Sequence, residues 1–152
     1  VDAGKVDEVS DMVKTLVHVT ERWLIDPGRA IEAQSRLSLG FMDLWTQQLR
    51  RMQGEAVTPV AKPDPKDNRF ADRDWSDNPY FDFLKQAYLL TSRWAEDMVE
   101  RAEGLDEGER QRARFYVKQI ASALSPSNFL ATNPEVLRET MKENGANLVR
   151  GM

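Results

Sequence analysis

The chain contains no cysteine. That absence excludes disulfides, thiolate metal sites and a thiol nucleophile together. It has one histidine, His18. At about 100° per residue His18 lies roughly opposite Leu16 on a helix, so it reads as a surface side chain. A lone imidazole supplies neither a zinc ligand set nor the base of a hydrolase dyad. The eight glycines form no dinucleotide fingerprint and no P-loop, and no G-x-S-x-G elbow occurs. There is no surplus of basic charge: the formal net charge is −4. Without a basic field there is no counterion release to drive binding, so nucleic acid is not an expected partner. Clean apolar runs are also missing. Ala87-Tyr88-Leu89-Leu90 is far shorter than the roughly 20 residues that cross a bilayer, and no transmembrane segment is expected. Val1-Asp2-Ala3-Gly4 offers neither an initiator methionine nor a signal peptide and reads as a cut end of a cytoplasmic fragment. The inventory gives no catalytic residue, no cofactor-binding residue and no metal ligand.

What is present is a helical pattern. Hydrophobic residues make up 41% of the chain, enough for one modest core if helices pack together. Val6, Val9, Val13, Leu16, Val17 and Leu24 recur at three-and-four spacing, which predicts a helix over Val6–Ile25 with that stripe facing inward. Asp26-Pro27 breaks it and starts a second helix, because proline suits the first turn. Its stripe is Ile31, Gln34, Leu37, Phe41, Leu44, Trp45, Leu49 and Met52, running to about Gln53 before Gly54. Three prolines fall between Gly54 and Asn68 with almost no large apolar residue, which predicts an extended linker. Beyond a polar, turn-prone stretch anchored by Phe70 and Trp75, Asn78 caps a third helix with Pro79 in its first turn. That helix carries Leu84, Ala87, Tyr88, Thr91, Trp94, Ala95 and Met98 inward and stops at Gly104. Asp106 and Glu109 have capping-box spacing for a fourth helix ending near Ser125-Pro126. After a short connection over Ser127–Thr132, Asn133-Pro134 opens a fifth, which Asn144-Gly145 can close, with Asn147–Met152 beginning a sixth element. The expected fold is all-α: about five helices, a two-helix amphipathic arm (1–53), a proline-containing linker (54–68) and a small helical module (69–152).

The charged clusters favour solvated faces. Glu96, Asp97, Glu100 and Glu103 interleave with Arg93 and Arg101 at helical spacing. Arg110, Arg112, Arg114 and Lys118 suggest an anion site, but Glu107 and Glu109 adjoin them. The aromatic residues are more informative. Most belong to core faces. Tyr80, Phe81, Phe83 and Tyr88, however, span more than one face of a single helix, so part of the cluster should stay uncovered. With Phe41 and Trp45 of the second helix they form the candidate interaction surface: Phe41, Trp45, Tyr80, Phe81, Phe83 and Tyr88.

Three stretches carry a family resemblance: Asp67-Asn68-Arg69-Phe70-Ala71-Asp72 with Trp75 and Asn78-Pro79; Gln86-Ala87-Tyr88-Leu89-Leu90; and Leu124-Ser125-Pro126-Ser127-Asn128-Phe129-Leu130-Ala131-Thr132-Asn133-Pro134-Glu135. From Asp67 to the end the chain resembles the N-terminal region of poly(3-hydroxyalkanoate) synthases, and the surroundings of Phe83-Leu84-Lys85 and Ser92-Arg93-Trp94 resemble the class I branch. Residues 1–66 fall in a part that varies within the family. The resemblance implies an acyltransferase that polymerises (R)-3-hydroxyacyl-coenzyme A into a storage polyester with release of coenzyme A. Its cysteine nucleophile sits in an α/β-hydrolase domain that would follow Met152; no catalytic residue carries over to this chain. For the N-terminal region it implies association with the cytoplasmic polyester granule, homodimer support, and contact with phasin-type granule proteins and with the enzyme's own catalytic domain. An independent, phasin-like helical interaction module is the alternative, and a structural cap on the hydrolase domain a third reading.

Overall fold

The computed structural model describes residues 3–129 and 133–151. Among these residues there are α-helices and no strand: α1 (Ala3–Leu24), α2 (Pro27–Met52), the single turn α3 (Asp74–Asp77), α4 (Pro79–Arg101), α5 (Glu107–Ala123) and α6 (Pro134–Gly151). The fold is all-α. Leu130–Thr132 of the expected connection and Met152 of the expected sixth element lie outside the described residues.

Local chemistry explains most of the helix ends. Asn78 Oδ1 accepts from the Tyr80 amide at 2.9 Å, and Asn133 Oδ1 accepts from the Glu135 amide at 3.0 Å, so each asparagine caps a helix whose first residue is proline. Asp106 Oδ1 accepts from the Glu109 amide at 2.8 Å and caps α5. The reciprocal half of a capping box is missing, because the Glu109 carboxylate is taken by His18 Nδ1 at 2.6 Å. Gly54 and Gly104 both have positive φ, at 82° and 80°, which is what the stops of α2 and α4 require. The expected stop at Asn144-Gly145 does not occur: α6 runs through it to Gly151. A glycine inside a helix costs about 1 kcal/mol relative to alanine, a penalty that weakens a helix without ending it. The expected sixth element is thus a continuation of α6.

Packing divides the chain into two compact units. The first combines Val1–Gly40 with Thr91–Ala123 and the second Phe41–Leu90 with Leu124–Met152. Residues 1–53 and residues 69–152 each contribute to both units.

In the first unit α1 packs beside α5. The core is Val19, Trp23, Ala33, Val99, Ala102 and Ala113, with Met98, Leu105 and Val117 against it. Three alanines at that centre let the helices approach closely around the buried Trp23 indole, with Trp94 beside them. Trp23 Nε1 donates to the Met98 carbonyl and Trp94 Nε1 to the Ala33 carbonyl, each at 2.8 Å. Trp94 is half-buried, not sealed in the core. Arginines then close the C-terminal end of α4: Arg110 donates to the carbonyls of Val99, Glu100 and Ala102, Arg29 to that of Arg101, and Arg22 to that of Glu103. Cations at this end meet the negative pole of the helix and satisfy carbonyls that lack helical partners.

The second unit is built on Ala61, Phe70, Trp75, Phe81 and Leu89, with Leu84, Tyr88 and Leu137 packed against them. Trp75 lies edge-on to both Phe70 (4.9 Å between centroids) and Phe81 (5.7 Å). Ala61 is buried, and Gln86 Oε1 accepts from the amides of Val60 (2.8 Å) and Ala61 (3.2 Å), which docks the segment on α4. Proline-rich backbone lacks internal partners, and here a buried glutamine supplies one.

The largest difference from the sequence reading is rotational. On α1 the buried residues are Thr15, Val19 and Trp23, with Met12 and Leu16 half-buried. The stripe expected inside is outside: Val6, Val9, Val13, Val17 and Leu24 are all exposed, Val13 at 54%. The two arcs are centred roughly 120° apart at about 100° per residue. On α2, Leu44 is buried as expected and Leu37 and Phe41 are half-buried, but Ile31, Trp45, Leu49 and Met52 are exposed while Ala33 and Gln47 are buried. Each helix carries two apolar arcs, and the core takes the one holding the residue that packs best.

Candidate interaction surfaces

The six aromatic residues expected to form one surface divide into three environments. Trp45 projects from α2 at 58% exposure and packs on Phe83 of α4, with ring centroids 5.0 Å apart. Tyr80 is exposed one turn before Phe83 on α4, and Gln48 Nε2 donates to the Pro79 carbonyl at 3.2 Å, holding the end of α2 beside the start of α4. Trp45 and Phe83 thus make a partly exposed aromatic patch in the second unit, with exposed Tyr80 one turn earlier on α4. Phe81 is not part of it. It is buried at 7% exposure between Trp75 and Tyr80, because successive helical residues point about 100° apart and position 81 turns inward. Tyr88 is half-buried beside Phe70, and its hydroxyl accepts from Arg69 Nη1 at 2.9 Å. Phe41 is half-buried at the start of the second unit's share of α2.

Arg69 holds the Tyr88 corner. Its guanidinium lies 5.3 Å from the ring centres of both Phe70 and Tyr88 and is gripped by Asp67 through Nε (2.9 Å) and Nη2 (2.8 Å). The Asp67 hydrogen bonds, and after them the Tyr88 bond, raise its pKa further above the ordinary arginine range against partial desolvation. This stretch, Asp67-Asn68-Arg69-Phe70, is a packed corner and presents no free cation.

One feature of the second unit was not visible in the sequence. Asp82, Lys85 and Gln86 are buried on the first two turns of α4. The Asp82 carboxylate accepts from Arg51 Nη1 (3.0 Å) and Gln86 Nε2 (2.7 Å) and pairs with Lys85 Nζ (3.1 Å). Arg51 Nη2 also donates to the carbonyls of Ser76 and Asp77, and Lys85 to the Ser76 hydroxyl. The i,i+3 spacing of Asp82 and Lys85 was legible; their burial was not, since charged residues at that spacing normally face water. Every formal charge in the cluster has a partner, so it acts as a clamp joining α2, α3 and α4.

The remaining sequence candidates resolve simply. His18 is half-buried and held by Glu109, not a bare surface imidazole. Arg110 is spent on α4 carbonyls, and Arg114 pairs with Glu100 at 2.5 Å, lowering the pKa of that carboxyl, so two of the four cations in the apparent anion-binding run are engaged internally while Arg112 and Lys118 are exposed. Asp97 and Arg101 form the expected surface pair at 3.1 Å. Among the described residues no group of three or more His, Cys, Asp or Glu side chains could hold a metal ion, and no helix is long and apolar enough to cross a membrane.

A family model described as the poly-beta-hydroxybutyrate polymerase (PhaC) N-terminus matches residues 66–152. The chain belongs to this family. The match begins where the quoted motifs begin. Curated relatives extend the likeness across the first 66 residues as well. A poly(3-hydroxyalkanoate) polymerase of Methylorubrum extorquens is 56% identical over 145 residues, covering 95% of this chain and 24% of its own length. A poly(3-hydroxyalkanoate) polymerase subunit of Rhizobium meliloti strain 1021 is 58% identical over 146 residues, covering 96% and 24%. The corresponding subunit of Cupriavidus necator is 35% identical over 128 residues, covering 84% and 20%. This polymerase N-terminal region therefore spans about a quarter of the length of these relatives. No solved structure matches it.

Proposed function

We propose that this region is the noncatalytic N-terminal part of a poly(3-hydroxyalkanoate) polymerase and that it holds the enzyme at its polyester product. In this reading the remainder of the polymerase, an α/β-hydrolase domain, supplies a cysteine nucleophile that polymerises (R)-3-hydroxyacyl-coenzyme A and releases coenzyme A, and the whole resides at cytoplasmic granules. The observation that carries the reading is the unburied apolar arc of α1, Val6, Val9, Val13 and Val17, on a helix whose other arc already packs into the core. A polyester surface is apolar and solid, so it can cover such an arc as a lipid interface would. Burying the exposed half of one valine is worth about 1 kcal/mol, so four together suffice for reversible adsorption once the cost of immobilisation is met. The Trp45–Phe83 patch, with Tyr80 one turn earlier, offers a second, aromatic surface suited to the catalytic domain, to a second copy of the chain or to a phasin-type granule protein.

Sedimentation with native polyester granules tests the reading. The 152-residue chain is expected in the pellet, and a Val9→Glu, Val13→Glu double variant is expected largely in the supernatant with an unchanged circular dichroism spectrum. A wild-type chain that stays in the supernatant removes the adsorption reading.

A further inference from the structure

Beside its core the first unit contains a cleft of about 320 Å³, walled by α1, α2, α4 and α5. That volume lies at the lower end of small-ligand sites, which run from about 300 to 1,000 Å³. Leu16, Val19 and Trp23 face it from α1, Trp94 and Met98 from α4, and Gln34 from α2. In a chain where 30% of residues are charged, none of the described residues lining this cleft is ionisable. A phosphate, a free carboxylate or an amine entering it would lose hydration with no counter-charge to compensate.

We propose that this cleft grips a short segment of uncharged aliphatic polyester, an oligo(3-hydroxyalkanoate) stretch of the polymer chain; the proposal rests on the polymerase assignment above. The match is one of polarity. A polyester backbone carries no net charge and, away from its ends, no hydrogen-bond donor. Its ester oxygens accept only weakly. The cleft answers each point. Both indole N–H groups are committed to backbone carbonyls, Trp23 to Met98 and Trp94 to Ala33, so the two rings are fixed and present apolar surface. The Thr20 hydroxyl, also on the lining, is bonded back to the Leu16 carbonyl at 3.0 Å. Gln34, exposed on the lining, is left as the amide that can donate to an ester carbonyl. An extended peptide is a poor fit, because each of its backbone N–H groups would need an acceptor that the walls do not provide. A helix of a partner chain satisfies its own backbone but is about 10 Å wide and would cover the cleft without entering it.

The test is a tryptophan-fluorescence titration of the 152-residue chain with a methyl-capped tetramer of (R)-3-hydroxybutyrate, run beside the free monomer carboxylate. Saturable binding of the tetramer and none of the monomer is expected. Ala95→Leu, which fills the cleft from α4, should weaken tetramer binding by at least about tenfold. If that variant fails to fold, Thr20→Phe at an exposed position on the lining decides the matter by the same criterion. Absence of saturable tetramer binding to the wild type, or full affinity in a folded cleft-filling variant, overturns the proposal. The outcome separates from adsorption: Val9→Glu, Val13→Glu should keep tetramer affinity within about twofold while leaving the granule pellet. Granule sedimentation without tetramer binding sinks the cleft alone, and tetramer binding without sedimentation sinks only the adsorption reading.

Discussion

Asp82 shows how much of the second unit rests on single side chains. Among the described residues its carboxylate is the anion that pairs with both Arg51 and Lys85, so Asp82→Ala would strand two cations in a poorly hydrated place. Breaking a buried pair in this way costs about 3–5 kcal/mol, and urea denaturation should show a loss of that size. In the first unit Gly104 is the equivalent point. Its φ of 80° disfavours any other residue, and a Cβ there would fall 2.2 Å from Arg22 Nη2. Gly104→Ala should cost about 1–2 kcal/mol from the left-handed backbone and partly displace the Arg22 cap, readable as a lower Tm. Tyr116 introduces a pH dependence. Its hydroxyl donates to Asp11 across the α1–α5 contact, and that bond, with desolvation second, raises its pKa above the ordinary 10.0. A raised pKa in the folded state means that the stabilisation is fully present below pH 10 and is lost as pH climbs through the folded value. Thermal melts of the wild type should therefore fall more steeply above pH 10 than those of Tyr116→Phe, and parallel curves would show that the bond contributes nothing. Glu100 behaves oppositely: Arg114 lowers its pKa below 4.5, so its contribution is present above that value and fades on acidification.

At the level of elements, the sequence was legible where chemistry is local and ambiguous where packing decides. Asn78-Pro79, Asn133-Pro134, Asp106, Gly54 and Gly104 mark helix ends by their own hydrogen bonds or dihedral angles, and each acts where expected. Which arc of α1 faces inward was not legible. Val6, Val9, Val13 and Val17 form as regular an apolar row as Met12, Leu16, Val19 and Trp23, and periodicity cannot rank two arcs of one helix. The large indole of Trp23, with an N–H that reaches the Met98 carbonyl, decides it through contacts made 75 residues away. The same holds for the aromatics: Tyr80 and Phe83 belong to the cluster that one helical face cannot cover, whereas the burial of Phe81 depends on Trp75 arriving from α3. For α6 the tie is again electrostatic. Arg138 pairs with both Asp72 and Asp74, and Leu137 packs on the second core. Arg138→Ala should speed amide exchange over residues 134–144 by roughly threefold, the size expected for a partly exposed ion pair that loosens one helix.

For the whole molecule, the consequential fact is that the first unit is not contiguous in sequence. Val19, Trp23 and Ala33 come from one stretch and Val99, Ala102 and Ala113 from another. Deleting residues 1–53, which would be harmless if they were a detached arm, should instead expose the apolar sides of α4 and α5. The truncated chain is expected to bind a hydrophobic dye strongly and to lose its cooperative melt over those helices; a normal melt would restore the independent arm. The same discontinuity bears on biosynthesis. Roughly eighty residues separate the end of α1 from the start of α5, and a ribosome adding about 5–20 residues per second needs several seconds to deliver them. Throughout that interval the nascent α1 has both of its greasy sides in water. A chaperone that recognises short apolar helices therefore has a window on every copy made, and slowing translation between the two segments would lengthen it.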